Sequence, residues 1–292
     1  MRIAYVITDV DFYEDTRYAA TLVAALQEQG AEVDRFARVP PQWYADGPPV
    51  GRYDLALAHV LVEEVVAFGE TMRAATLLEA AGVPLVNPVA AMAASSDKLL
   101  THAVWAAAGL PQPPVWNLAD REAWPAPGRA LVLKPALGDG ARYISVVRDL
   151  DEAREVEAQW RVDEAAGGHR RGASMLQELV EEPTVLRLYA TPTATSLVYE
   201  KHREPGDIVS HGTVYARAYE AAPDLAELTQ RMVASLGGGL MGVDVLVDAS
   251  GRDLALEATA PFGFDVTDPE QARWAARAVV DLGRRLGRAR SA

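Results

Sequence analysis

The sequence predicts a fold that is α/β in its first part and α+β in the rest, because the order of strands and helices changes along the chain. In the first 87 residues apolar strands alternate with helices, a pattern typical of parallel strands joined by crossover helices. From residue 129 onward, strand-like segments follow one another in pairs, which favours antiparallel sheets. Breaker residues separate these regions, so we expect three units: 1–87, 88–182 and 183–292.

The first unit is predicted to begin with a strand at 3–7 and a helix at 16–29. Leu22 and Leu26 fall on one face of this helix, and Gly30 is a typical helix terminator. The other elements are strands at 55–61 and 83–86, with a helix at 64–80 between them. We interpret the proline-rich segment 39–49 as a surface loop and Asn87-Pro88 as the domain boundary.

The second and third units combine helices with paired strands. A helix at 97–108 is followed by Gly109 and by the breaker run 111–114. The other elements of the second unit are strands at 130–135, 142–147 and 174–180 and a helix at 150–166. The third unit contains strands at 186–190, 195–202 and 208–216, a helix at 224–236, two strands that carry Asp244 and Glu257, and a final helix at 269–286.

Composition argues against several functional classes. The chain has 292 residues, a formal charge of −13 and no cysteine, which disfavours nonspecific nucleic-acid binding and excludes thiol catalysis. No apolar run reaches the roughly 18 residues that a membrane helix needs. Because Met1-Arg2 leads directly into a strand, we expect no secretory signal and a cytoplasmic location. The basic tail, Arg284, Arg285, Arg288 and Arg290, fits the usual enrichment of cations at a helix C-terminus.

Two adjacent strands near the C-terminus place an aspartate and a glutamate side by side. The first carries Gly242-Val243-Asp244, and the second carries Glu257 within Leu256-Glu257-Ala258-Thr259. Magnesium is usually held by one or two carboxylates together with nucleotide phosphates, so this pair predicts a metal site. The alternative interpretation is a pair of solvent-exposed carboxylates at a strand edge.

A possible phosphate-binding loop lies upstream. An apolar strand ends at Lys134-Pro135, and a loop with Gly138 and Gly140 leads into the next strand. Glycines allow backbone N–H groups to approach phosphate oxygens, and a lysine supplies a positive charge. No helix follows the loop, so this is neither a P-loop nor a dinucleotide fingerprint. The alternative is a plain β-hairpin whose lysine discourages edge-to-edge association.

Taken in order, these segments resemble the ATP-grasp ligases over nearly the whole chain. The likeness rests on Asn87-Pro88, Asp97-Lys98, Ala108-Gly109-Leu110-Pro111, Lys134-Pro135, Gln177-Glu178-Leu179-Val180-Glu181, Arg187, Gly242-Val243-Asp244 and Glu257. Each segment is short, and their order and spacing carry the resemblance. The chain is most similar to ligases that attach glutamate to ribosomal protein tails and to carrier-protein ligases of lysine biosynthesis.

This resemblance implies an ATP-grasp fold and an ATP-dependent carboxylate–amine ligase with ATP and Mg²⁺ as cofactors. In such an enzyme ATP activates a carboxylate to an acyl-phosphate, which an amine then attacks. The resemblance also implies small amino-acid-like substrates and no nucleic-acid or membrane partner. We further expect a homo-oligomer, either a dimer or a tetramer.

The resemblance also assigns roles to individual residues. The nucleotide is contacted by Lys98, Lys134, Gly138, Gly140, Arg142, Gln177, Glu178, Leu179, Val180 and Glu181, with backbone groups of Glu178 and Val180 on the adenine. The metal is held by Asp244, Glu257 and Thr259, and the transferring phosphate is neutralised by the catalytic residues Arg187 and Arg203. For the two arginines, a structural ion pair with a carboxylate is the alternative interpretation.

The chain departs from the family pattern at a few positions. Thr259 replaces a metal-binding asparagine, and Val185 replaces the aspartate of an Asp-x-Arg motif. In the phosphate loop, Ala141 replaces a glycine and Asp139 adds a negative charge. Two other functions therefore stay open: an ATP-binding regulatory module without turnover, and an ATP-driven intramolecular cyclisation.

An acidic segment after the first strand bears on specificity. Asp9, Asp11, Glu14 and Asp15 lie in the loop where open α/β sheets bind ligands, so an amine-bearing acceptor would be attracted there. Alternatively, Asp15 or Thr16 caps the following helix and Glu14 interacts with its dipole.

Overall fold

The computed structural model describes residues 1–7, 16–49, 51–59, 65–120, 128–138, 143–165, 172–202, 215–260 and 268–291. These residues form three β-sheets, which we call sheets A, B and C in chain order. Sheet A is parallel, whereas sheets B and C are antiparallel, so the predicted change from α/β to α+β along the chain is confirmed.

Sheet A has four strands in the order β2-β1-β3-β4. Its strands are β1 (Arg2–Ile7), β2 (Glu32–Phe36), β3 (Leu55–His59) and β4 (Leu85–Val86); α1 (Thr16–Glu28), α2 (Pro41–Asp46) and α3 (Val65–Ala80) connect them. The sequence did not predict β2. It lies at the sheet edge, and its charged residues, Glu32, Asp34 and Arg35, hide the apolar pattern of a buried strand.

The prediction of a surface loop at 39–49 is wrong. Residues Pro41–Asp46 form helix α2, and proline occupies its first turn, where it is compatible with a helix. Trp43 in this helix is only 4% exposed, and its ring centroid lies 5.0 Å from that of Phe36. Proline content alone was therefore a poor guide, because proline both breaks helices and begins them.

Two helices follow sheet A, where the sequence predicted one. Helix α4 spans Val89–Ser96 and α5 spans Lys98–Ala107, with Asp97 between them. The Asp97 carboxylate accepts hydrogen bonds from the N–H groups of Leu99 (2.9 Å) and Leu100 (3.2 Å), which fixes the start of α5. The uniformly small and apolar sequence of α4 carries little helical periodicity, so its pattern gave no clear signal.

Sheet B is a four-stranded antiparallel sheet in the order β5-β8-β6-β7. Its elements are β5 (Val115–Asn117), β6 (Leu131–Pro135), β7 (Ser145–Val147), α6 (Leu150–Ala165) and β8 (Ser174–Glu178). We call this sheet with α6 the central subdomain.

Sheet C has the strand order β12-β11-β9-β13-β14, with β10 paired to β9. Its elements are β9 (Thr184–Thr191), β10 (Ala194–Thr195), β11 (Val198–Lys201), β12 (Tyr215–Tyr219), α7 (Pro223–Ser235), β13 (Met241–Val247), β14 (Asp253–Thr259) and α8 (Pro269–Ser291). The predicted strand at 195–202 is in fact two strands, β10 and β11. Of the predicted strand at 208–216, residues 208–214 lie outside the described residues.

Apolar cores join sheets A and C but leave the central subdomain separate. One core contains Ala4 of sheet A together with Leu188 and Val243 of sheet C, and a second joins Tyr5 to Tyr189. We call sheets A and C with their helices the body. The core of the central subdomain consists of its own residues: Leu118, Leu131, Leu133, Val147, Ala153, Trp160 and Leu176.

A buried asparagine also connects the two sheets of the body. The side-chain oxygen of Asn87 accepts hydrogen bonds from the N–H groups of Gly239 (2.7 Å) and Leu240 (2.8 Å), and its amide donates to the Leu240 carbonyl (2.7 Å). Asn87 thus satisfies three backbone groups of the segment that leads into β13. The domain boundaries at residues 87 and 182 stay a prediction.

Candidate active site

The register of sheet C brings the candidate metal and phosphate residues together. Asp244 on β13 lies directly opposite Glu257 on β14 and opposite Arg187 on β9. Residues directly opposite in an antiparallel pair point to the same face of the sheet. Three side chains that are far apart in the sequence therefore share one face of sheet C.

Asp244 is the most buried acidic residue of this group and binds two cations. Arg187 Nη1 lies 3.0 Å from Asp244 Oδ1, and Lys201 Nζ lies 3.0 Å from Asp244 Oδ2. Burial lowers the pKa of Arg187, but the Asp244 carboxylate outweighs it and the pKa is raised overall. Arg187 therefore stays charged.

Glu257 is paired with a lysine from the body. Lys98 Nζ lies 3.0 Å from Glu257 Oε1 and also donates a hydrogen bond to the Gly138 carbonyl. Burial would raise the pKa of Glu257, but Lys98 and then Lys134 outweigh it and hold the pKa at about 2. Lys98 therefore links the carboxylate of β14 to the predicted phosphate loop.

Lys134 comes from the central subdomain and has a neutral partner. Its Nζ donates to the Oε1 atom of Gln177 at 2.9 Å, from the neighbouring strand β8. Burial lowers the pKa of Lys134 to about 8, and nearby Lys98 acts in the same direction against the attraction of Glu257. Gln177 is also buried, and its Nε2 atom has no hydrogen-bond partner among the described residues.

The predicted adenine-binding segment begins at the end of β8, and two of its backbone N–H groups donate hydrogen bonds to carbonyls elsewhere in the chain. The Glu178 N–H donates to the Pro114 carbonyl (2.9 Å), and the Leu179 N–H donates to the Ala130 carbonyl (3.1 Å). The Glu178 carboxylate lies 2.8 Å from Arg129. The predicted roles of the Glu178 and Val180 backbone groups and of Glu181 stay predictions.

Thr259 lies on the same face as the two carboxylates. Its hydroxyl is 3.3 Å from Arg187 Nη2 and donates to the Gly242 carbonyl at 3.3 Å. Within the described part of the chain, no group of three His, Cys, Asp or Glu side chains could hold a metal. The role of Asp244, Glu257 and Thr259 as metal ligands stays a prediction.

Several predicted site residues lie outside the described residues. These are Gly140, Arg142, Arg203 and the acidic segment with Asp9, Asp11, Glu14 and Asp15. Gly138 is the last described residue of the phosphate loop, and its φ of +155° belongs to a region that favours glycine.

Sequence reasoning missed Lys201 and His102. Lys201 is the last residue of β11, and its position beside Asp244 depends on the pairing of β11 with β9, which no local sequence signal indicates. His102 lies one helical turn after Lys98 on α5; its Nδ1 is 2.7 Å from Gln112 Oε1. Burial first and Lys134 second lower its pKa to about 4, so this imidazole is neutral beside the cluster.

Comparisons with known proteins agree with this architecture. The chain is 30% identical to a D-alanine–D-alanine ligase of Ectopseudomonas mendocina over 215 residues, which cover 69% of this chain and 66% of that protein. It is 26% identical to the glutamate–LysW ligase ArgX of Sulfurisphaera tokodaii over 164 residues, 55% of each chain. The structure of the ATP-grasp ligase PsnB with minimal precursor, Mg and ADP matches 97% of this chain and 98% of PsnB, with a TM-score of 0.65 and 19% identity.

The chain has the ATP-grasp fold, as the order of its motifs predicted, and part of its sequence is similar to that of D-alanine–D-alanine and glutamate–LysW ligases. It spans about half the length of the glutamate–LysW ligase that it matches. No family model matches the sequence. Among the described helices, none is both long and apolar enough to cross a bilayer.

Proposed function

We propose that this protein is an ATP-dependent ligase that joins a carboxylate to an amine through an acyl-phosphate. The observation that carries the proposal is one mixed-charge cluster, in which Asp244 and Glu257 are surrounded by cations from four different elements. These cations are Lys98, Lys134, Arg187 and Lys201. Phosphoryl transfer needs positioning and charge neutralisation more than covalent help, and this cluster supplies both.

The residues present fit ATP with magnesium. Four cationic groups against two carboxylates leave an excess of positive charge, which suits a polyphosphate. Two carboxylates and a hydroxyl on one face are oxygen donors that magnesium accepts. Magnesium at Asp244, Glu257 and Thr259 would supply further neutralisation of phosphate charge.

The reaction consists of two displacements. A carboxylate oxygen of the first substrate attacks the γ-phosphorus, and the bond from that phosphorus to ADP breaks. The amine nitrogen then attacks the acyl carbon, the bond to phosphate breaks, and the amine loses a proton. Lys98 and Lys201 can contact phosphate oxygens in the first step, and Arg187 can hold the departing phosphate in the second.

We propose small amino-acid-like molecules as substrates. Similar proteins with a curated function are named for D-alanine and for glutamate with LysW, and structures of PsnB are complexes with a minimal precursor or with a precursor peptide. These names share an amino-acid carboxylate or amine and differ in size, so the class is proposed and the individual substrate is not. A homo-oligomer and a cytoplasmic location remain predictions.

Hydroxylamine provides a test that does not require the acceptor to be known. Each amino acid is supplied alone with ATP, magnesium and hydroxylamine, which intercepts an acyl-phosphate as a hydroxamate. We expect one carboxylate class to give hydroxamate and phosphate in equal amounts. The matched control is Glu200→Gln, which alters a carboxylate that pairs with Arg217 and not with the cluster, and it should keep this activity. Nucleotide binding without hydroxamate from any carboxylate would instead favour the regulatory module.

A further inference from the structure

We propose that Lys98 and Lys201 hold the metal-binding carboxylates in the nucleotide-free protein, so that a divalent cation binds only together with the nucleotide. This inference rests on the proposed ATP–magnesium site. It adds an order of binding, in which the metal enters together with the nucleotide, and it assigns Lys201 the role of holding Asp244 until then.

Cations already occupy the carboxylate oxygens that a metal would need. Both oxygens of Asp244 are in ion pairs, Oδ1 with Arg187 and Oδ2 with Lys201, and Oε1 of Glu257 is paired with Lys98. Asp244 is only 4% exposed, so solvent screens these pairs weakly. A metal that takes a ligand from Asp244 therefore either displaces one of these cations or binds close beside it, where like charge opposes the metal.

Charge also disfavours a metal that arrives alone. Among the described residues of the cluster, four cationic side chains face two carboxylates, and a bare divalent ion would add to this excess. A metal–nucleotide complex brings net negative charge instead. Its phosphates also offer Lys98 and Lys201 new partners when these lysines leave the carboxylates.

The two lysines are better suited than Arg187 to exchange partners. A lysine ammonium is a point charge on a flexible stem, whereas the planar Arg187 guanidinium is held by several groups. Arg187 contacts Asp244 and the Thr259 hydroxyl, and its Cζ lies 6.0 Å from the centroid of the Tyr189 ring. Arg187 therefore keeps its position while the lysines move to phosphate.

A titration of the full-length, nucleotide-free protein with Mn²⁺, followed by electron paramagnetic resonance, tests the proposal directly. Mn²⁺ has the same preference for oxygen ligands as Mg²⁺ and reports binding without turnover. We expect wild-type protein to bind Mn²⁺ weakly. Lys201→Met frees one Asp244 oxygen and removes a charge, so it should raise Mn²⁺ affinity by at least about tenfold.

Three variants separate this role from a general charge effect. Arg217→Met removes a cation of the same sheet that pairs with Glu200, and it should leave Mn²⁺ affinity unchanged. Lys201→Arg keeps the charge and should bind Mn²⁺ as weakly as wild type. Asp244→Asn combined with Lys201→Met should abolish the gain, which places the ion at Asp244. Lys98→Met repeats the test at the other lysine, because it frees a carboxylate oxygen of Glu257 instead of one of Asp244.

The outcomes distinguish this inference from the proposed function. Equal Mn²⁺ affinities in wild type, Lys201→Met and Lys98→Met would overturn it, and so would tight Mn²⁺ binding by the nucleotide-free wild type. A separate thermal-shift titration with ADP tests whether the site accepts a nucleotide at all. Failure of that titration rejects the proposed function, whereas the Mn²⁺ series decides the role of the lysines.

Discussion

The body and the central subdomain contribute to the candidate site in different ways. In the body, the charges are paired with one another: Asp244 holds Arg187 and Lys201, and Glu257 holds Lys98. In the central subdomain, Lys134 donates a hydrogen bond to the neutral Gln177, and burial lowers its pKa. The body therefore presents a cluster of paired ions, and the central subdomain adds a cation that has no ion pair among the described residues.

The same contrast appears in the packing. Two cores run through sheets A and C, whereas the core of the central subdomain consists of its own residues. Substitutions in the body should therefore often affect stability and function together. Substitutions of central-subdomain site residues should mainly affect nucleotide binding.

The largest effect is expected for Glu257→Gln. This change removes a negative charge that pairs with Lys98 and that we assign to the metal, and within the described part of the chain Lys98 has no other carboxylate partner. We expect turnover to fall by about a hundredfold or more, which corresponds to about 3 kcal/mol of lost transition-state stabilisation. Hydroxamate formation at saturating ATP measures it. Wild-type activity in this variant at every magnesium concentration would remove Glu257 from the site.

Lys134→Met tests the contribution of the central subdomain. Loss of a hydrogen bond to a charged phosphate costs about 1.5–3 kcal/mol, so ATP affinity should fall by roughly tenfold to a hundredfold. The melting temperature without nucleotide should change little, because removal of a buried charge offsets loss of the hydrogen bond to Gln177. Thermal-shift titrations with ATP measure both quantities. A large loss of stability with unchanged ATP affinity would mean that Lys134 is structural.

Asn87→Ala tests the connection within the body. The variant leaves two N–H groups and a carbonyl of residues 239–240 without their partner, and we expect about 2–3 kcal/mol of destabilisation. Denaturant unfolding measures this change. ATP affinity of the folded variant should stay within about twofold of wild type, since the hydrogen bonds of Asn87 among the described residues all go to residues 239–240 and not to the charged cluster.

Much of this site could be predicted from the sequence, and the omissions have physical causes. Asp244 and Glu257 were found because each sits in an apolar strand whose alternation makes a charged residue conspicuous. Lys201 was missed because its role depends on the pairing of β11 with β9, a long-range register that no local pattern specifies. His102 was missed because a single histidine in an amphipathic helix carries no motif.

For the fold, too, the regular buried elements could be predicted and the irregular exposed ones could not. Alternation of strands and helices was enough to predict the parallel sheet, but β2 and α2 were missed at its exposed edge. In β2 the charged residues do not follow the apolar pattern of a buried strand, and in α2 the proline lies in the first helical turn, so neither element has the periodicity that predicts it. The resemblance to ATP-grasp ligases supplied the order of the units, and composition alone would not have done so.

The pH dependence of ATP binding further distinguishes the central subdomain, which supplies Lys134, from the body. Lys134 has a pKa of about 8 in the folded protein, below the ordinary lysine value of about 10.4. It loses its charge as pH rises through 8, so ATP affinity should fall over that range by up to about tenfold. Lys134→Met should lack this step. Because the unfolded state keeps its proton to higher pH, the free energy of unfolding should rise between about pH 8 and 10.

The smallest effect is expected at Thr259, where the resemblance to ATP-grasp ligases implies an asparagine. The threonine hydroxyl is a neutral oxygen that already contacts Arg187 and donates to the Gly242 carbonyl, so it is a weaker magnesium ligand than an amide oxygen. Thr259→Asn should lower the half-saturating magnesium concentration by about threefold, with little change in maximal rate. Titration of hydroxamate formation with magnesium at fixed ATP measures this. Thr259→Val is the matched control, because it keeps the shape of the side chain and removes the oxygen; it should raise the magnesium requirement. If both variants have the magnesium requirement of the wild type, Thr259 is not a ligand, and the metal depends on Asp244 and Glu257 alone.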